Sequence, residues 1–147
     1  MNLPPVNAAI PGVVIDTNVA LDLLVFNEPR VQPLRAALAD AHLCWLACAR
    51  MGDELAEVLR RGLAAQRGVD ATAVSAHWHA CVTLKAAPTV GWRLRCTDDD
   101  DQVFIDLALE QRARWLLSRD RAVLKLARRA KALGLAIVTP ETWAEQA

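Results

Sequence analysis

Short apolar runs rich in β-branched residues alternate with stretches of helical periodicity along almost the whole chain. "GVVID", after Pro11 and Gly12, reads as a buried strand, and "LCWLACA", "RWLLS" and "LAIVT" read as three more. Helical stretches lie between them. One runs from about Val19 to Val25; the others are "VQPLRAALADA" with Pro33 in its first turn, "MGDELAEVLRRGLAAQ", "DATAVSAHWHACVTLKA" ended before Pro88, and "DQVFIDLALEQR". "RAVLKLARRAKAL" is closed by Gly134, and a short helix follows Pro140. This alternation predicts an α/β fold: a single domain, residues 1–147, with one parallel sheet flanked by helices on both faces. About residues 1–11 would form an N-terminal extension.

Composition narrows the class. With 54% hydrophobic and 23% charged residues the chain is globular, not disordered or fibrous. Seventeen basic and seventeen acidic residues cancel, so overall charge points to neither nucleic acid nor membrane. Between Arg112 and Lys131, however, eight Lys or Arg face a single acid, Asp120. That run is either a solvated helix face or a patch for a phosphate backbone. No segment reaches the ~18 apolar residues of a membrane span. "MNLPPVNAAIPGVVID" lacks the basic start and long apolar stretch of a signal peptide. Cys44, Cys48, Cys81 and Cys96 make no CxxC pair, so reduced thiols and a cytoplasmic location are expected. "HWHAC" brings His77, His79 and Cys81 together, but within a helical pattern that has no second half for zinc. Trp45, Trp78, Trp92, Trp115 and Trp143 are expected in the core or an interface. The apolar segment around "HWHAC" could cover a partner or a second copy of the chain; burial in its own fold is the simpler expectation.

The acids carry the chemistry. Sites in open parallel sheets form at the carboxyl ends of strands. Asp16 follows "VVI", and Asp120 lies just past "RWLLS", so both belong to one rim. "CTDDDDQVFIDLAL" places four aspartates directly before an apolar helix. At about 100° per residue, Asp101 projects with Phe104, Ile105 and Ala108, whereas Asp106 falls on the opposite side and is expected in solvent. In "MGDELAEVLRR" the apolar stripe is Met51, Leu55, Val58 and Leu59; Glu54 stands at its edge, with Asp53 and Glu57 on the far side. Four inward carboxylates without a basic partner are costly unless a cation compensates them. Hard oxygen donors favour Mg²⁺ or Mn²⁺ over zinc. Asp98, Asp99 and Asp100 would then cap the helix and extend the negative field. A solvated charge run is the competing reading.

"VVIDTNV", "DELAEVLRR", "CTDDDDQVFIDLALE", "WLLSRDRAVLKL" and "AIVTPETW", in this order, resemble the PIN-domain ribonucleases, in particular the toxin-like bacterial branch similar to VapC. The resemblance spans nearly the whole chain. It implies metal-dependent cleavage of RNA by Asp16, Glu54, Asp101 and Asp120, supported by Asn18 and Ser118, with a small antitoxin as partner. Asp16 and Asp101 would coordinate most directly, Asn18 would orient Asp16, and Ser118 would bind a ligand carboxylate or water. The chain departs from the pattern at Ser118, usually Thr, at Arg119, often Gly, and at Asp99, often Pro. The last leaves Asp98 as a competitor for the third acid. Arg119, Arg121 and Lys125 are candidates for holding the RNA backbone. Two rival readings stay open. One is a PIN-like module that binds RNA or protein without cutting. The other is a phosphatase with Asp16 as nucleophile, which would want a second Asp where Asn18 stands.

Overall fold

The computed structural model describes residues 10–89 and 94–146. Most of the expected N-terminal extension and Trp92 lie outside them. Five parallel strands form one sheet in the order β3-β2-β1-β4-β5. They are β1 (Gly12–Ile15), β2 (Cys44–Cys48), β3 (Val82–Lys85), β4 (Trp115–Leu117) and β5 (Ala136–Val138). The helices are α1 (Thr17–Leu21), α2 (Gln32–Ala39), α3 (Ala49–Val58), α4 (Ala64–Arg67), α5 (Ala71–Cys81), α6 (Gln102–Glu110), α7 (Arg121–Leu124), α8 (Ala127–Ala132) and α9 (Pro140–Gln146). The expected α/β sheet with covering helices is what the chain forms. No helix among the described residues is long and apolar enough to cross a membrane.

One expectation fails. Helical periodicity runs on through "VTLK", but Val82–Lys85 is β3, paired parallel with β2 from Trp45↔Val82 to Cys48↔Lys85. Neither Gly nor Pro separates α5 from β3, and α5 passes straight into the strand at Val82. The helical period therefore ran on in the sequence past the true end. Another expected helix is subdivided. A π-helical turn at Leu59–Leu63 interrupts the helix after α3, where Gly62 adopts φ 125, a conformation L side chains rarely reach. Gly134, at φ 87, closes α8 as expected, with its N–H bonded to the Lys131 carbonyl.

Register places the site. Strands β1 and β4 pair Val13↔Trp115, Val14↔Leu116 and Ile15↔Leu117. The next step brings Asp16 level with Ser118, and the Asp16 N–H donates to the Leu117 carbonyl at 3.1 Å. The chain fills the sheet outward from β1 to β3 and then returns to the other side of β1 with β4. The β1/β4 boundary is thus the point where strand order reverses, and crevices open there at the carboxyl ends. Helix α6 packs against β1, β4 and β2, over the middle of the sheet. Its residues from Gln102 to Leu109 are all buried. Helix α3 packs on α5 through Gly52, where a Cβ would come within 2.7 Å of the Trp78 ring. Trp45, Trp78 and Trp143 are core residues.

Candidate metal centre

Asp16 leaves β1 in extended conformation and caps α1, its Oδ1 accepting from the Val19 N–H at 2.9 Å. Its other oxygen accepts from Ser118 Oγ at 2.5 Å. The Ser118 hydroxyl, fully buried, also accepts the Asp120 N–H at 3.0 Å. Asp120 caps α7 through the Ala122 N–H at 2.8 Å. One hydroxyl therefore ties the Asp16 carboxylate to the backbone that carries Asp120.

The aspartate run supplies the opposite wall. Asp98 caps a 3₁₀ turn at Asp99–Asp101, with its Oδ1 accepting the Asp100 N–H at 3.0 Å, and this turn leads directly into α6. Carboxylate oxygens of Asp98, Asp101 and Asp120 lie within 4.8 Å of one another. Both candidates for the third acid are thus present, with Asp98 exposed and Asp101 half-buried. Asp101 Oδ2 is buried with no hydrogen-bond partner. Burial, then the adjacent Asp120, then the charges of Asp98 and Asp16 push the Asp101 carboxyl up to about 7. Burial also raises Asp16, against the hydrogen bonds from Ser118 and Val19, and Asp120 adds to the rise.

Glu54 stands apart from this trio. Half-buried on α3, it accepts from Thr17 Oγ1 at 2.9 Å, and Thr17 adjoins Asp16. It lines a cleft of about 230 Å³ with Arg50, Arg61 and Asp100. Asp53 and Glu57 are exposed, as their helix positions predict. Thr17 carries no sequence signal for this contact, since no spacing rule connects it to a glutamate 37 residues away.

Four expectations are corrected. Asp106 is not solvated. It is 6% exposed and accepts from Gln102 Nε2 at 2.8 Å, because α6 buries every residue from Gln102 to Leu109. Gln102 also accepts the Cys96 N–H and donates to the Leu94 carbonyl, anchoring the strand of chain that enters the aspartate run. Arg119 is not a free cation for RNA. Its guanidinium pairs with Asp22 and, at 2.5 Å, with Glu141. Asn18 is exposed, and it is Ser118 and the Val19 N–H that hold the Asp16 carboxylate. Arg121 and Lys125 are exposed. The "HWHAC" segment is less buried than expected: of α5 only Val74 and Trp78 are in the core, and His77, His79 and Cys81 are exposed. All four cysteines are free thiols.

The residues fit a divalent cation. Three carboxylates converge, one oxygen is buried without a donor, and burial with the neighbouring acids pushes the Asp101 carboxyl up to about 7. All the donors are hard oxygens. PIN domains typically bind divalent metals and are generally nucleases. A search of curated proteins found no match to this chain. The model of the PIN domain matches residues 12–122, from the start of β1 to the aspartate-capped turn of α7, and the chain belongs to that family.

Proposed function

We propose that this protein is a Mg²⁺- or Mn²⁺-dependent ribonuclease, the toxin of a bacterial toxin–antitoxin pair. The observation that carries the nuclease reading is the convergence of the Asp98, Asp101 and Asp120 carboxylates, with Asp101 Oδ2 buried and unpartnered. A non-catalytic scaffold gains nothing from holding that repulsion. RNA as substrate and the toxin role rest on the sequence resemblance, from "VVIDTNV" to "AIVTPETW". The free thiols agree with a reducing cytoplasm.

Asp98, Asp101 and Asp120 would hold the cation, with Asp16 beside them and Glu54 reached through Thr17. When bound, such an ion lowers the pKa of water and offsets charge on the phosphate and the leaving oxygen. The protein's own contribution is rigidity. Ser118 fixes Asp16 and the Asp120 backbone to one atom, and Gln102 fixes the entry to the aspartate run. The carboxylates are therefore set before substrate arrives, which removes reorganisation from the reaction.

Cleavage of mixed structured and single-stranded RNAs, with Mg²⁺, Mn²⁺ or EDTA, tests this reading. Wild type should cut only with a divalent ion, and Asp16→Asn should lower the rate at least ~100-fold, a loss of about 2.7 kcal/mol in transition-state stabilisation. Full activity in EDTA would overturn it. Expression without a small partner protein should arrest growth; harmless overexpression of active enzyme would remove the toxin part alone.

A further inference from the structure

RNA cannot approach four or five carboxylates without cations nearby, and Arg119 is committed to Asp22 and Glu141. Two other guanidinium groups are placed for the task. Arg50 lies one turn before Glu54 on α3, four residues earlier and hence on the same helix face. It lines the cleft that holds Glu54 and Asp100, and it also lines a second cleft of about 430 Å³ bordered by Asp99. Arg95, just before that run, lines this second cleft too, together with Pro88, Asp99, Gln102 and Asp106. Among the described residues neither Arg50 nor Arg95 forms an ion pair, although carboxylates border the same clefts. By contrast Arg61, on the Glu54 side, is paired with Glu57 at 3.2 Å.

Resting on the ribonuclease reading, we propose that the cleft between Arg50 and Arg95 is the site that holds single-stranded RNA, with these two guanidinium groups gripping phosphates that flank the scissile one. Arginine suits this role because its planar fork of donors matches a phosphate's oxygens. The geometry explains how a neutral chain with an acidic centre can attract a polyanion. Arg50 lines both clefts that border the aspartate turn, so a phosphate gripped there lies beside the acids. The basic stretch around Arg121 and Lys125 borders neither cleft.

The test measures binding apart from cleavage. Fluorescein-labelled single-stranded RNA is titrated by anisotropy against Asp101→Asn protein, alone or carrying Arg50→Ala, Arg95→Ala, or the pair Arg121→Ala and Lys125→Ala. Arg50→Ala and Arg95→Ala should each weaken binding about tenfold and lower the slope of log K against log salt by ~0.7, one single-strand phosphate contact apiece. Arg50→Lys should recover part of the loss. In the wild-type background the same changes should raise KM about tenfold and leave kcat within about threefold. Both arginines are exposed, so melting temperatures should not move. Binding unchanged in both alanine variants, or a larger loss from the Arg121 and Lys125 pair, would overturn the assignment even if wild type cleaves RNA. Weakened binding in a protein that never cleaves would leave the cleft standing and remove the nuclease reading instead.

Discussion

Helices α5 and α6 differ little in length and are both apolar, yet the protein uses them in opposite ways. Of the eleven residues of α5 only Val74 and Trp78 are buried, whereas α6 buries eight consecutive residues, Gln102 to Leu109. Helix α5 leads into the edge strand β3, whose residues Thr83 to Lys85 are exposed. Helix α6 sits over β1, β2 and β4 and begins at the aspartate run. A helix surrounded by protein cannot shift or fray without opening the core, and a fully buried Leu or Ile contributes about 1.5–3 kcal/mol. The acid at its start is therefore held where solvent would not leave it. The clustered acids collect beside the most buried helix, and the exposed edge carries none of them.

The sharpest way to break this contrast is to neutralise acids one at a time. Asp101→Asn or Asp120→Asn should lower divalent-dependent cleavage at least ~100-fold, since each removes charge from the converging trio. Glu54→Gln should also be severe. Asp53→Asn and Glu57→Gln, on the wet side of the same helix, should stay within about threefold, under ~1 kcal/mol. Activity lost in Glu57→Gln and retained in Glu54→Gln would show that α3 presents a different face to the substrate. His79→Ala on α5 should change nothing in the rate of cleavage.

A smaller effect is expected from the hydroxyl that joins the two strand ends. Ser118→Ala removes a donor to Asp16 and an acceptor for the Asp120 N–H while leaving every carboxylate in place. Cleavage should fall about tenfold, with the metal concentration for half-maximal activity raised. Leaving buried polar groups unpaired costs about 1–3 kcal/mol, so the melting temperature should drop by a few degrees. Ser118→Thr, which keeps the hydroxyl, should restore most of both. Wild-type kinetics in Ser118→Ala would mean that Asp16 needs no such tether.

What could be read in advance follows the same division. The strand-end acids Asp16 and Asp120 were legible because short apolar runs end immediately before them, and Asp101 because its helical position matches Phe104 and Ile105. Periodicity assumes that one helix face is wet. Because α6 buries every residue from Gln102 to Leu109, that assumption misplaces Asp106, although its partner Gln102 stands four residues away, at ordinary helix-pair spacing. Strand β3 was hidden because the helix–strand change at Val82 has no breaking residue. The fate of Arg119 was hidden for another reason: its partner Asp22 lies 97 residues away in the chain. Long-range pairing leaves no trace in local spacing.

The smallest expected effect is thermodynamic, and it isolates the strain at the start of α6. Folding moves the Asp101 carboxyl from its ordinary value of 3.8 up to about 7, chiefly by burial and by Asp120 beside it. Between these values the folded protein binds more protons than the unfolded chain, so stability falls as pH rises through that window and levels off above about 7. Asp16, raised in the same direction, adds to the trend. Metal-free wild type should therefore melt a few degrees higher at pH 5.5 than at pH 7.5. Asp101→Asn removes the Asp101 contribution, so the variant should gain on wild type more at pH 7.5 than at pH 5.5, and this difference cancels whatever else titrates. A cation reverses the sign of the local field. Mn²⁺ at a hundredfold excess over Kd should stabilise wild type at pH 7.5 by about 2.7 kcal/mol and the variant far less. Melting curves of both proteins at the two pH values, with and without Mn²⁺, check it. Equal metal shifts in the two proteins, together with a wild-type curve indifferent to pH, would mean that the aspartates are screened by solvent like any exposed run, and that the burial of Asp101 does not build a cation site.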